Sequence, residues 1–123
     1  MASELILIVD DDAKNRKLER DVLGHYGYAT LEADSAEEGV RLAREAQPAL
    51  VLMDIRFPGM SGVEALIALR ADAATRDIPV IAVTASVMTQ DRAGIMAAGF
   101  DAYQGKPINI GEFLELVRKT VRR

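Results

Sequence analysis

Apolar residues recur along this chain in two rhythms that alternate. Residues 4–9 (ELILIV) form a short run rich in β-branched side chains. The run is too short for a helix and predicts a buried strand. Leu18, Val22 and Tyr26 then fall four apart, predicting a helix over 13–26 with these three on one face and Gly27 as its stop. Residues 28–33 (YATLEA) alternate weakly, as a second strand would. Ser35 with Glu38 reads as a capping box opening a helix that Pro48 ends. A third apolar run follows at 49–53 (ALVLM), and Ser61 with Glu64 forms another capping box, for a helix through about residue 73. Pro79 introduces the fourth run, 80–83 (VIAV), and a helix around 88–98 closes at Gly99. Residues 100–104 make a weaker fifth strand. Asn109 with Glu112 caps a last helix, in which Ile110, Phe113, Leu114, Val117 and Val121 line one face.

The result is five strand–helix units with short links. Strands apolar on both faces, alternating with helices, imply a parallel sheet covered on both sides. The expected class is α/β: a flavodoxin-like (βα)5 doubly wound sheet with strand order 2-1-3-4-5. No repeat, low-complexity segment or linker interrupts the chain, so residues 1–123 are expected to form one domain.

Composition narrows the chemistry more than the fold. A chain of 123 residues can bury roughly two thirds of its unfolded surface without staples. It has no cysteine, which excludes disulfides, thiolate metal sites and cysteine nucleophiles. A net charge of −4 argues against a general nucleic-acid binder. The basic ending "RKTVRR" suits a helix C-terminus and a solvated face. The start lacks the basic region and long apolar stretch of a signal peptide, and no run approaches the length of a membrane span. The expected location is the cytoplasm, with neither nucleic acid nor membrane as a partner.

Ligands of an open parallel sheet bind beyond the carboxyl ends of its strands, where the strand order reverses. The residues that fall there are Asp10, Asp11 and Asp12 after the first strand, Asp54 after the third, Thr84 after the fourth, and Tyr103 to Lys106 at the fifth. Three or four carboxylates with one lysine leave an excess of negative charge that a cation must offset. Mg²⁺ suits them, because it takes oxygen ligands from one or two carboxylates, keeps waters and completes its shell with phosphate. A carboxylate so placed can attack phosphorus and become an aspartyl phosphate. A lysine and a hydroxyl then steady the transferring group. Asp54, Thr84 and Lys106 fit these roles.

The motifs "IVDDD", "LMDIRFPGMSG", "VIAVTA" and "AGFDAYQGKPI", in this order, resemble the response-regulator receiver domain of two-component systems over essentially the full chain. The wording is most similar to stand-alone receivers of the chemotaxis and cell-cycle regulator type. The resemblance implies that Asp54 is the phosphoacceptor, and that Asp10, Asp11, Asp54 and the backbone carbonyl of Arg56 hold Mg²⁺. It also implies that Thr84 and Lys106 bind the phosphoryl oxygens, that Thr84 and Tyr103 act as the switch pair, and that the Lys106–Pro107 bond is cis. The implied partners are a histidine kinase or histidine phosphotransfer protein upstream. Downstream the implied partner is a protein target at the face of helix 4, strand 5 and helix 5. The chain ends just after the fifth helix, so output is expected through protein contact without an output domain. The chain is then no enzyme beyond its own aspartyl phosphorylation and dephosphorylation.

Plainer roles account for other residues. Asp12 directly precedes the first helix and reads as its N-cap. Pro58-Gly59 suits the centre of a type II turn. His25 takes no role, and Met53, Met60, Met88 and Met96 read as core or gap-filling residues. Arg56 and Phe57 depart from the commonest family wording; Arg56 is expected to overhang the phosphoryl group and change its rate of hydrolysis. A haloacid-dehalogenase-like phosphatase would share Asp-x-Asp after the first strand, but Lys14 stands where its threonine belongs. A flavin carrier would need a Ser/Thr/Gly-rich first loop, and a constitutive binding module would keep the fold without the chemistry.

Overall fold

The computed structural model describes residues 4–55, 61–84, 89–106 and 108–121, the side chains of 89–92 aside. Arg56, Phe57, the Pro58-Gly59 turn, Met60, Met88 and the Lys106–Pro107 bond lie outside these residues. Strands β1 (Leu5–Val9), β2 (Ala29–Ala33), β3 (Leu50–Asp54), β4 (Val80–Thr84) and β5 (Ala102–Gly105) alternate with five helices. The helices are α1 (Ala13–His25), α2 (Ala36–Ala46), α3 (Gly62–Ala71), α4 (Thr89–Ala97) and α5 (Ile110–Val121). All strand pairs are parallel, in the order β2-β1-β3-β4-β5.

Alternate strand residues point to opposite faces, and the core divides accordingly. Leu7, Val9, Val51, Met53 and Ala82 pack against Ala36 and Ala43 of α2, Ala65 and Leu66 of α3, and Ile95 of α4. Ile6, Ile8, Leu50, Leu52, Ile81 and Val83 pack against Leu23 of α1 and Phe113 and Val117 of α5. Both faces are therefore dry, as continuous apolar strands require.

The helix ends follow the sequence signals closely. Asp12 caps α1, its Oδ1 accepting from the Lys14 amide at 2.9 Å. Ser61 and Glu64 exchange both capping-box bonds at the start of α3. At Ser35 only half of the box forms: the hydroxyl accepts from Glu38, whose carboxylate is held by Arg41 in a two-pronged pair. Asp12→Ala is expected to cost about 1 kcal/mol, the usual worth of an N-cap. A lowered denaturant midpoint at unchanged slope is the reading that checks it.

Three side-chain expectations give way. Leu18 and Tyr26 are exposed, and the buried positions of α1 are Glu19 and Leu23. The true stripe lies one position further on, and a charged residue in it hides it from an apolar count. Ile110, at the first turn of α5, is 47 % exposed, although Phe113, Val117 and Val121 are buried as expected. Met96 is exposed on α4, whereas Met53 is fully buried.

Candidate functional site

β1 and β3 are neighbours, yet α1 lies on one face of the sheet and α2 and α3 on the other. The chain therefore departs in opposite directions from their carboxyl ends and leaves a cleft between them. Asp54 is the last residue of β3 and is buried. Asp10, one residue past β1, is 2 % exposed, and Asp11 beside it is exposed. One carboxylate oxygen from each of Asp10, Asp11 and Asp54 lies within 4.8 Å of the other two.

Lys106 reaches across from the end of β5. Its Nζ donates to Asp10 Oδ2 at 3.0 Å and Asp54 Oδ2 at 3.2 Å, and its amide donates to the Thr84 carbonyl at 2.9 Å. Partial burial alone would lower the Lys106 pKa, but the bonds and charges of Asp10 and Asp54 outweigh it and hold the pKa above its ordinary value. The ammonium stays charged. Asp10 is fixed at both oxygens, since Oδ1 also accepts from the Asp12 amide at 2.8 Å.

Thr84 ends β4 fully buried, opposite Gly105 of β5 in the strand register. Tyr103 sits on β5 opposite Ala82, partly buried against the face that carries α4. The sheet thus brings Asp10, Asp11, Asp54, Thr84 and Lys106 to one edge, with Tyr103 behind them.

A divalent cation fits these donors. Three carboxylates against one ammonium leave two negative charges. All donors are hard oxygens, and Mg²⁺–oxygen bonds of about 2.1 Å need ligand oxygens roughly 3 to 4 Å apart. Oxygens already within 4.8 Å of one another reach that range with at most small side-chain shifts. A hollow of about 630 Å³ lies elsewhere, between Ala49, Arg70, Arg76, Pro79 and Asp101. Ala49 and Asp101 each directly precede a strand, so this hollow belongs to the opposite edge of the sheet.

Three residues of the site escaped the sequence reading. Glu19 of α1 is 2 % exposed, and its Oε2 has no hydrogen-bond partner among the described residues. Burial, then the charges of Asp10 and Asp54, push its pKa up to about 8 against an opposing effect of Lys106. Arg16 donates from Nη1 to the Asp10 carbonyl at 2.8 Å. Gly62 lies so close to the Asp54 peptide that a Cβ there would stand 2.3 Å from the Asp54 carbonyl oxygen. Only Gly62 carried a sequence signal, as a small residue at the very start of a helix.

A doubly wound five-stranded sheet with an acidic cluster and a lysine at its switch point defines a signal-receiver domain. The chain belongs to the response regulator receiver domain family, whose model matches residues 6–118. It is 43 % identical to the polar-differentiation response regulator DivK of Brucella ovis over 113 residues, 92 % of each chain. The receiver domain of a sensor histidine kinase from Pseudomonas aeruginosa, solved with a magnesium ion coordinated in its active-site cleft, is 29 % identical. It aligns over 99 % of this chain and 100 % of its own at a TM-score of 0.91. The fold is shared with the Vibrio cholerae chemotaxis protein CheY4, at a TM-score of 0.90 and 24 % identity over 97 % of this chain and 99 % of that one. The chain is thus a receiver domain of two-component signalling, similar to DivK.

Proposed function

We propose that the chain is a Mg²⁺-dependent phosphoacceptor switch that takes a phosphoryl group on Asp54 from a histidine kinase or histidine phosphotransfer protein. The observation that carries this reading is the buried Asp54 carboxylate, held by Lys106 and within 4.8 Å of the Asp10 and Asp11 oxygens. An Asp54 oxygen attacks the phosphorus of a phosphohistidine, the P–N bond breaks, and the imidazole leaves with a proton from solvent. Lys106 turns its ammonium to the transferred oxygens, and the Thr84 hydroxyl donates to another. Asp10, Asp11, Asp54 and the Arg56 carbonyl would hold Mg²⁺, which supplies neutralisation of phosphoryl charge. Water later attacks the aspartyl phosphate and restores the carboxylate. The chain catalyses no reaction but these two on itself.

Recruitment of Thr84 toward the phosphoryl group, followed by Tyr103 moving inward, would reshape α4, β5 and α5, and a downstream protein reads that face. Signalling by protein contact from a single receiver unit in the cytoplasm completes the proposal. The test is incubation with acetyl phosphate, with and without Mg²⁺, followed by intact mass and peptide mapping. One Mg²⁺-dependent phosphate on Asp54, absent from Asp54→Asn, is the expected result. Label on Asp10 would instead support a phosphatase, and no label would leave a module that only binds.

A further inference from the structure

We propose that Arg16, braced by Glu32, is a positioning residue of the cation site, holding the Asp10 peptide so that the Asp10 and Asp11 carboxylates converge on Asp54. The inference rests on the reading of that acid cluster as a Mg²⁺ site. Asp10 stands just beyond β1, where backbone pairing runs out. Its amide still donates to the Ala33 carbonyl at 3.1 Å, the last residue of β2. Its carbonyl lies past both neighbouring strand registers, which end at Val9 with Ala33 and Met53. A buried carbonyl left there needs a donor, and Arg16 Nη1 supplies it at 2.8 Å.

The guanidinium is itself held. Arg16 Nε donates to Glu32 Oε1 at 3.2 Å, and Arg20 Nη1 donates to Glu32 Oε2 at 2.8 Å. Arg16 and Glu32 side chains are 19 % and 28 % exposed, so the pair is largely sheltered. A planar fork suits such a bridge, because Nη1 and Nε are fixed relative to each other and hold the carbonyl and the carboxylate in one geometry. An exposed salt bridge contributes little to stability. This one is different in kind, because one arm ends on the peptide of a cluster residue. Arg16 meets the cluster at the Asp10 carbonyl and Glu32 offsets its charge, so its influence runs through the Asp10 backbone. Asp10 and Asp11 share that peptide, so a rotation there would move both carboxylates.

The experiment is calorimetric titration with Mg²⁺ alone on the wild type, Arg16→Met, Glu32→Ala, the double variant and Asp11→Asn. Outer partners that orient metal ligands usually change affinity 10- to 100-fold, so Arg16→Met is expected to raise the Mg²⁺ dissociation constant about tenfold. Glu32→Ala should raise it several-fold, and the double variant should be no worse than Arg16→Met, since the two act as one unit. A merely structural role predicts the reverse: lower unfolding midpoints in EDTA with Mg²⁺ affinity within about twofold of wild type in both single variants, which would overturn the proposal. Should Arg16→Met fail to fold, Glu32→Ala on the edge strand carries the same test. Asp11→Asn separates the two readings. If it leaves Mg²⁺ binding intact, the cation site is wrong; if it abolishes binding while the Arg16 and Glu32 variants bind normally, only the positioning role is.

Discussion

Glu19→Leu is expected to stabilise the fold at neutral pH and to flatten its dependence on pH. The Glu19 side chain is buried within α1, its Oε2 is unpartnered among the described residues, and its pKa stands at about 8 against an ordinary 4.5. Burial is the main cause, with Asp10 and Asp54 adding to it and Lys106 opposing. The folded protein thus keeps this proton at pH values where the unfolded chain has released it. More protons bound in the native state mean that stability falls as pH rises. The loss begins near the unfolded value, is complete near the folded one, and amounts at pH 7 to on the order of 3 kcal/mol. Leucine is apolar, has no charge to desolvate and is only moderately larger than glutamate, so most of the cost disappears. At roughly 3 to 4 °C per kcal/mol for a domain of this size, the melting temperature should rise by about 10 °C at pH 7. Denaturant titrations between pH 5 and pH 8.5 would show it. Wild type should lose stability across the range faster than Glu19→Leu, and Glu19→Gln should lose the slope with a smaller gain, because its amide remains unpaired. Equal slopes in wild type and Glu19→Leu would refute the account.

Glu19 also shows what a sequence hides. The five strands, their order and the edge carrying the acids were legible because parallel strands must be apolar on both faces, and polar residues can only cluster where those strands end. Asp10, Asp54 and Thr84 were legible for the same reason, each directly following an apolar run, with Asp11 next to Asp10 and Lys106 at the end of the weaker fifth strand. The inner faces of the helices were less so. In α1 the buried stripe contains Glu19, with Arg16 half-buried beside it, and a count of apolar residues shifts to Leu18 and Tyr26, which face water. A charge becomes tolerable on the inner side of a helix only when another element supplies a partner or a proton stays on. Arg16 finds Glu32 on β2 and the Asp10 carbonyl, while Glu19 keeps its proton. Both facts depend on contacts between distant segments, which periodicity within one segment cannot contain. Met96 and Ile110 failed differently, because a helix end can leave an apolar side chain exposed wherever the neighbouring layer stops.

The second large effect is expected at Gly62, where one methyl group should damage fold and site together. A Cβ on Gly62 would stand 2.3 Å from the Asp54 carbonyl oxygen and 2.8 Å from the Ile55 Cα, both backbone atoms that cannot yield by a side-chain rotation alone. The Gly62 amide also donates to the Ile55 carbonyl at 3.0 Å, which ties the start of α3 to the end of β3. Alanine is intrinsically better in a helix by about 1 kcal/mol, so helix propensity alone would favour Gly62→Ala. Overpacking against a rigid neighbour costs typically 1–3 kcal/mol and at times more. Contact this short belongs at the upper end, and the clash should win by about 2 kcal/mol. Relief requires α3 to move away or the Asp54 peptide to turn. Turning it displaces the carboxylate from Lys106 and from the Asp10 and Asp11 oxygens, and misplacement by about 1 Å can slow a positioned reaction 100-fold. Gly24→Ala in α1 supplies the internal contrast, since nothing lies within 4 Å of the added methyl there. The same substitution should stabilise at Gly24, by up to about 1 kcal/mol, and destabilise at Gly62. Denaturant midpoints give the two signs. Rates of labelling by acetyl phosphate, taken where both variants are fully folded, should be unchanged for Gly24→Ala and at least tenfold lower for Gly62→Ala. A Gly62→Ala protein as stable and as readily labelled as wild type would mean that α3 shifts freely, and that the close approach to Asp54 does not fix the site.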